Sequence, residues 1–118
     1  MTAAGVFGYV RVGGRHKARM ERWRARIADY CREEGLALEL VFADSGVSGT
    51  ELERAGWTAL LDVLSLKDGP VVVLPNNNHL SRDPGLQVEL RAQLVVAGAV
   101  VVVMPTRVRL AAVQTREG

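Results

Sequence analysis

The chain alternates short apolar runs with stretches in which apolar residues recur every three or four positions. Val6–Val12 is rich in β-branched and aromatic residues and runs into Gly13-Gly14, the pattern of a first strand that ends in a turn. Met20, Trp23, Ile27 and Tyr30/Cys31 then recur at helical spacing, with Gly35 as a natural stop. That predicts a helix over residues near 16–34. Leu38–Phe42 reads as a second strand. Trp57, Leu60, Leu61 and Leu64 mark a second helix, ended near Gly69-Pro70. Val71–Leu74 is unbroken apolar sequence, as expected of a strand buried on both faces of a parallel sheet. Asp83-Pro84 reads as a helix start, a capping carboxylate followed by proline at the first helical position. Leu86, Leu90 and Leu94 form that helix's inner face, and Gly98 ends it. Ala99–Met104 is a fourth strand, and Val108–Val113 is either a short fifth strand or a frayed tail.

This βαβαβαβ order predicts an α/β fold, a three-layer sandwich around a mostly parallel four- to five-stranded sheet with right-handed crossovers. At 118 residues the chain reads as a single domain over 1–118, with no repeat, low-complexity tract or linker. Binding sites in such folds lie beyond the carboxyl ends of the strands. Those ends carry Arg11–Gly14, Asp44–Arg54 and Pro75–Asp83, the longest and most polar connections.

Composition narrows the function classes. Nearly half the residues are apolar and 24% are charged, which suits a folded core and argues against disorder. Cys31 is the only cysteine, so an intrachain disulfide and a cysteine-rich zinc site are both excluded, and a reducing cytoplasm is the expected location. The longest apolar run, around Leu94–Pro105, is too short and too broken by glycine to span a bilayer, and arginines interrupt the N-terminus before any signal-peptide core forms. The net charge is only +2, but it is unevenly placed. Arg11, Arg15, Lys17, Arg19, Arg22, Arg24 and Arg26 face only Glu21 in the same stretch. Such a stripe is either a phosphate-holding surface or an ordinary solvated helix face.

The three loops carry the candidate chemistry. Gly13-Gly14, between a strand and a basic helix, either cradles phosphate with backbone amides or simply makes a tight turn. Asp44-Ser45-Gly46-Val47-Ser48-Gly49-Thr50 offers two glycines and three hydroxyls, with Arg54 close behind. An arginine at a helix start opposes the helix dipole and calls for an anionic partner, a phosphate or a carboxylate. Asn76-Asn77-Asn78-His79-Leu80-Ser81-Arg82-Asp83 adds amides, an imidazole suited to general-base work, and an arginine able to grip an oxyanion bidentately. No second histidine or carboxylate cluster accompanies His79 as a metal site would need. Together the loops point to a bound anion, a phosphodiester or a phosphate.

The order of these motifs is specific. Tyr9-Val10-Arg11-Val12, then Asp44-Ser45-Gly46-Val47-Ser48-Gly49-Thr50 with Arg54, then His79-Leu80-Ser81-Arg82-Asp83 resembles the N-terminal catalytic domain of the resolvase/invertase serine recombinases, over roughly residues 6–105. The resemblance implies a fold of the α/β kind read above. It also implies a chemistry in which a serine hydroxyl attacks a DNA phosphodiester, with no metal or other cofactor, while arginines neutralise the transferring phosphoryl group. Arg11, Arg54 and Arg82 match those arginines, and Ser48 joins them as an expected phosphate or DNA contact.

The same resemblance exposes departures concentrated at the site. The nucleophilic serine is replaced by Gly13, a family aspartate by Asn78 and its neighbouring arginine by His79, and a glutamine common in the first helix falls near Trp23. Glycine cannot act as a nucleophile, and an amide cannot serve as a base. Ser45, Ser48 and Ser81 are the remaining hydroxyls, and Ser48 and Ser81 stand where the family itself often has serine. The expectation is therefore a degenerate domain without strand-cleaving activity. It would hold the DNA phosphate backbone, or join itself or a recombinase-like partner and modulate recombination. A protein-interaction or regulatory domain with an unused site is the alternative, and an active recombinase the third reading. The family's long dimerising helix and separate DNA-binding domain have no counterpart in the pattern up to Gly118, so sequence-specific DNA reading is not expected.

Overall fold

The computed structural model describes residues 5–14, 16–46 and 54–105. Its elements follow the expected order: β1 (Val6–Val12), α1 (Lys17–Glu33), β2 (Leu38–Ser45), α2 (Ala55–Leu64), β3 (Val71–Leu74), a 3-10 turn (Asn77–His79), α3 (Pro84–Val96) and β4 (Val100–Val103). The four strands form one parallel sheet in the order β2-β1-β3-β4. The possible fifth strand, Val108–Val113, lies outside the described residues.

Period-two alternation along β1 divides the core in two. Phe7 and Tyr9 face α2 and α3, packing with Trp57, Leu60, Leu90 and Leu94. Val6, Val10 and Val12 face α1, packing with Met20, Ile27 and Cys31. Helices therefore lie on both faces, as the three-layer expectation requires. β3, with Val72, Val73 and Leu74 fully buried, serves both layers, which is why its sequence does not alternate. Gly8 lets α1 approach β1 closely, because a Cβ there would stand 3.0 Å from Ile27 Cγ2.

Three local expectations are corrected. β2 runs on to Ser45 rather than stopping at Phe42, held in register by Ala43 and Asp44 beside Val10 and Arg11. Asp83 does occupy the cap position of α3, with Pro84 behind it, but its carboxylate makes no capping bond. Its backbone N–H instead donates to Ser81 Oγ at 3.0 Å, and proline's missing N–H leaves the first turn less in need of a cap. Leu86 is only half-buried, so Leu90 and Leu94 alone anchor α3.

Strand order reverses direction between β1 and β3. In an open parallel sheet the flanking loops part at such a switch point and leave a crevice at the carboxyl ends. The loop after β1 and the loop after β3 meet there.

Candidate phosphate-binding cleft

Arg11 leaves the carboxyl end of β1 on the same face as Tyr9. Its backbone N–H donates to His79 Nδ1 at 3.0 Å, and its Nη2 donates to the Asn78 carbonyl at 2.8 Å. These two bonds latch the β3 loop onto β1. The loop is further shaped by Asn76, whose Oδ1 accepts from the Asn78 N–H at 3.0 Å, and by Asn77, whose Oδ1 accepts from Arg91 Nη2 at 2.6 Å. The triple asparagine thus builds the turn rather than pointing as a group into solvent.

Between the two loops opens a cleft of about 690 Å³. Arg11, Gly13, Asn78, His79 and Arg82 all line it, so residues as distant in sequence as Arg11 and His79, 68 positions apart, converge on one cavity. His16, Arg19 and Trp23 of the α1 side complete the wall. In the sequence Arg19 belongs to the basic stripe, and helical spacing groups Trp23 with Met20 and Ile27. Trp23 instead is half-exposed, edge-on to the His79 ring at 4.8 Å, with the Arg26 guanidinium 5.1 Å from its centroid. Its spacing with Met20 and Ile27 could not distinguish a core position from a cleft wall one helical step aside. Arg24 also leaves the stripe, donating to the Val41 carbonyl at the sheet edge.

Arg54 is fully buried, with 1% of its surface exposed. It stands at the N-cap of α2, beside a polar cluster centred on Asp44. Asp44 accepts from the Tyr9 hydroxyl at 2.7 Å, from the Gly56 N–H at 2.7 Å and from the Trp57 N–H at 2.9 Å. A carboxylate at the end of β2 therefore caps α2, satisfying orphan amides and meeting the positive end of the helix dipole. Burial and the neighbouring Asp44 push the Tyr9 phenol well above its ordinary range, while Arg54 pulls the other way.

The electrostatics join the three arginines. Burial first, then the charges of Arg54 and Arg82, hold the Arg11 guanidinium below its usual range, with Tyr9 opposing. Arg11 thus feels the charges of both Arg54 and Arg82, the three coming one from each loop, although buried Arg54 does not line the cleft. His79 is also buried, and desolvation together with Arg11 lowers its pKa from 6.5 to about 4. With Nδ1 accepting the Arg11 amide, the ring is the neutral tautomer protonated at Nε2. Taking up a proton would break that bond, so His79 is a latch rather than a free base.

Of the other hydroxyls, Ser81 is buried and accepts the Asp83 amide, Ser45 is exposed at the end of β2, and Ser48 lies outside the described residues. Among the described residues no group of three or more His, Cys, Asp or Glu is placed to hold a metal ion, and no helix is long and apolar enough to cross a membrane.

Comparison with known proteins agrees with this fold. The family model described as "Resolvase, N terminal domain" matches residues 6–116. Among solved structures, the chain is similar to the N-terminal catalytic domain of TP901-1 integrase, with a TM-score of 0.75 at 21% identity over 84% of this chain and 76% of that one. It is also similar to the C-terminal catalytic domain of ISC1926 TnpA, an IS607-like serine recombinase, with a TM-score of 0.71 at 20% identity over 93% and 76%. A third likeness is the first open reading frame of transposon ISC1904 from Sulfolobus solfataricus P2, with a TM-score of 0.63 at 24% identity over 87% and 69%. No curated protein matches.

Proposed function

Since the chain belongs to the resolvase N-terminal domain family, we propose that it is a serine-recombinase-type domain that holds a DNA phosphodiester backbone without cutting it. One observation carries this reading: Arg11 and Arg82 line one cleft together with Gly13 and Asn78, where burial first, then the charges of Arg54 and Arg82, disfavour the Arg11 cation. Guanidinium groups gathered beside a cleft at a switch point suit a bound oxyanion. A phosphodiester seated there meets Arg11 and Arg82 in the wall and the field of buried Arg54.

Chemistry beyond binding lacks its parts. At Gly13 no hydroxyl is available to form a phosphoserine link, and Asn78 offers an amide where a carboxylate would be needed. Among the described residues the only acidic group in the cleft wall is Asp83, which is exposed. The arginines act as a static clamp, and the expected consequence is binding that weakens steeply with salt and shows little sequence preference. A lone, buried thiol at Cys31 suits work in a reducing cytoplasm, where DNA is reached directly.

The test is fluorescence anisotropy with a generic labelled duplex across a salt series, comparing the wild type with Arg11→Ala/Arg82→Ala. Arg54 is left intact because its burial would confuse loss of binding with loss of fold. Salt-dependent binding that disappears in the double variant supports the reading. Undiminished binding by that variant overturns it.

A specific observation also supports the alternative, a protein-interaction role. Val88, Val95 and Val96 of α3 are 71%, 60% and 87% exposed, an apolar surface suited to a second copy or a recombinase-like partner. Charged substitutions at Val88 and Val95 that abolish self-association in sedimentation while sparing DNA binding would assign that surface to assembly.

A further inference from the structure

A second cleft, of about 550 Å³, adjoins the first and differs from it in chemistry. α1 lies over β1 and β2, and its outer edge leaves a groove against the ends of β3 and β4. Trp23 and Tyr30 supply aromatic walls there, and Met104 an apolar, polarisable one. Asn76 adds an amide. Arg26 is accompanied there by Glu33 and by Asp29, itself paired with Arg32, so this cleft lacks the cation excess of the arginine cleft. It suits a neutral, planar, heteroaromatic group with polar edges.

The two clefts adjoin, since Trp23 and Asn76 line both. His16, Arg19, Trp23, Arg26 and Tyr30 follow one another at alternating steps of three and four, a single line along α1. At 1.5 Å per residue that line runs for roughly 20 Å, the reach of a few nucleotides. Cations alternate with aromatic rings along it, which is the arrangement that tracks a backbone while stacking successive bases.

Resting on the phosphate-clamp reading, we propose that the second cleft receives an unpaired nucleobase whose phosphate is held by Arg11 and Arg82, so that the ligand preferred by this domain is single-stranded rather than duplex DNA. In a duplex the bases are paired and stacked inside, and none can reach Tyr30 while its phosphate sits in the arginine cleft. An extruded or single-stranded nucleotide reaches both.

The experiment uses three labelled probes at low salt: a single strand of about 12 nucleotides, the same strand built of abasic sites, and the matching duplex. They are titrated with wild type, Trp23→Leu and Tyr30→Leu, whose leucines keep apolar packing and remove the π-face; far-UV circular dichroism checks the fold. The natural strand should bind at least about fivefold more tightly than the abasic strand. Both variants should remove that difference, and Tyr30→Leu, which lies outside the arginine cleft, should leave duplex affinity unchanged. In the wild type, the natural strand should also quench the fluorescence of half-exposed Trp23, and the abasic strand should not, a readout that stands even if a variant fails to fold. Equal affinity for natural and abasic strands overturns the base cleft while leaving the phosphate clamp in place. Absence of binding by all three probes overturns both.

Discussion

His79, in the cleft wall, keeps its latch on Arg11 only while neutral. His79 has a folded pKa of about 4 against an ordinary 6.5, so the unfolded chain binds this proton first as pH falls. Its contribution is present in full above pH 6.5 and is lost progressively on acidification toward pH 4. The gap corresponds to about 3 kcal/mol. Chemical denaturation between pH 7 and 4 should show this loss, and His79→Asn, which keeps an acceptor for the Arg11 amide, should flatten it. A profile that stays equally steep in the variant would place the acid sensitivity elsewhere. At the neighbouring cluster, Tyr9→Phe removes one of three donors to a buried carboxylate, and the urea midpoint should fall by an amount equivalent to about 2 kcal/mol. Gly13→Ser restores a hydroxyl to the cleft wall but leaves Asn78 and His79 as they are. No strand cleavage should appear when this variant is incubated with supercoiled DNA, and robust nicking would show that the hydroxyl alone was missing.

At the scale of elements, periodicity revealed almost everything that depends on one segment. The β1 alternation, the unbroken β3 and the Gly35 stop are local patterns, and each element lies within a few residues of its expected place. What escaped is what one segment does to another. Asp44 was legible as part of a loop motif, yet its role is to cap α2, a helix beginning 11 residues later. Nothing in the spacing of charges specifies that three-dimensional return. Trp23 escaped for the same reason, since its neighbour His79 is brought by β3. Gly56 makes the inter-element constraint measurable. Alanine at an open helical position ordinarily stabilises relative to glycine. A Cβ at Gly56 would instead stand 2.4 Å from the Ala43 carbonyl oxygen, and backbone of the sheet cannot swing aside. Gly56→Ala should destabilise by about 1–3 kcal/mol, so the sign of the change in thermal midpoint separates close packing of α2 on β2 from ordinary helix propensity.

Across the whole molecule the charge of +2 is too small to steer DNA from a distance. Any affinity must come from where the cations are gathered, and among the described residues they are gathered twice: in the cleft at the switch point, which Arg19 also lines, and along the exposed residues Lys17, Arg22 and Arg26 of α1. These sources are separable by salt, because each neutralised phosphate contributes about 0.9 to the slope of log K against log salt for duplex DNA. If Arg11 and Arg82 each neutralise one phosphate, Arg11→Ala/Arg82→Ala should flatten the slope by about 1.8. Arg22→Gln, on the α1 surface outside the cleft, should flatten it by no more than about 0.9. Arg32→Gln removes a cation already paired with Asp29 and should leave the slope unchanged. A double cleft variant with the full wild-type slope would mean that the three arginines are held together by the fold's own carboxylates and that α1 alone carries the DNA.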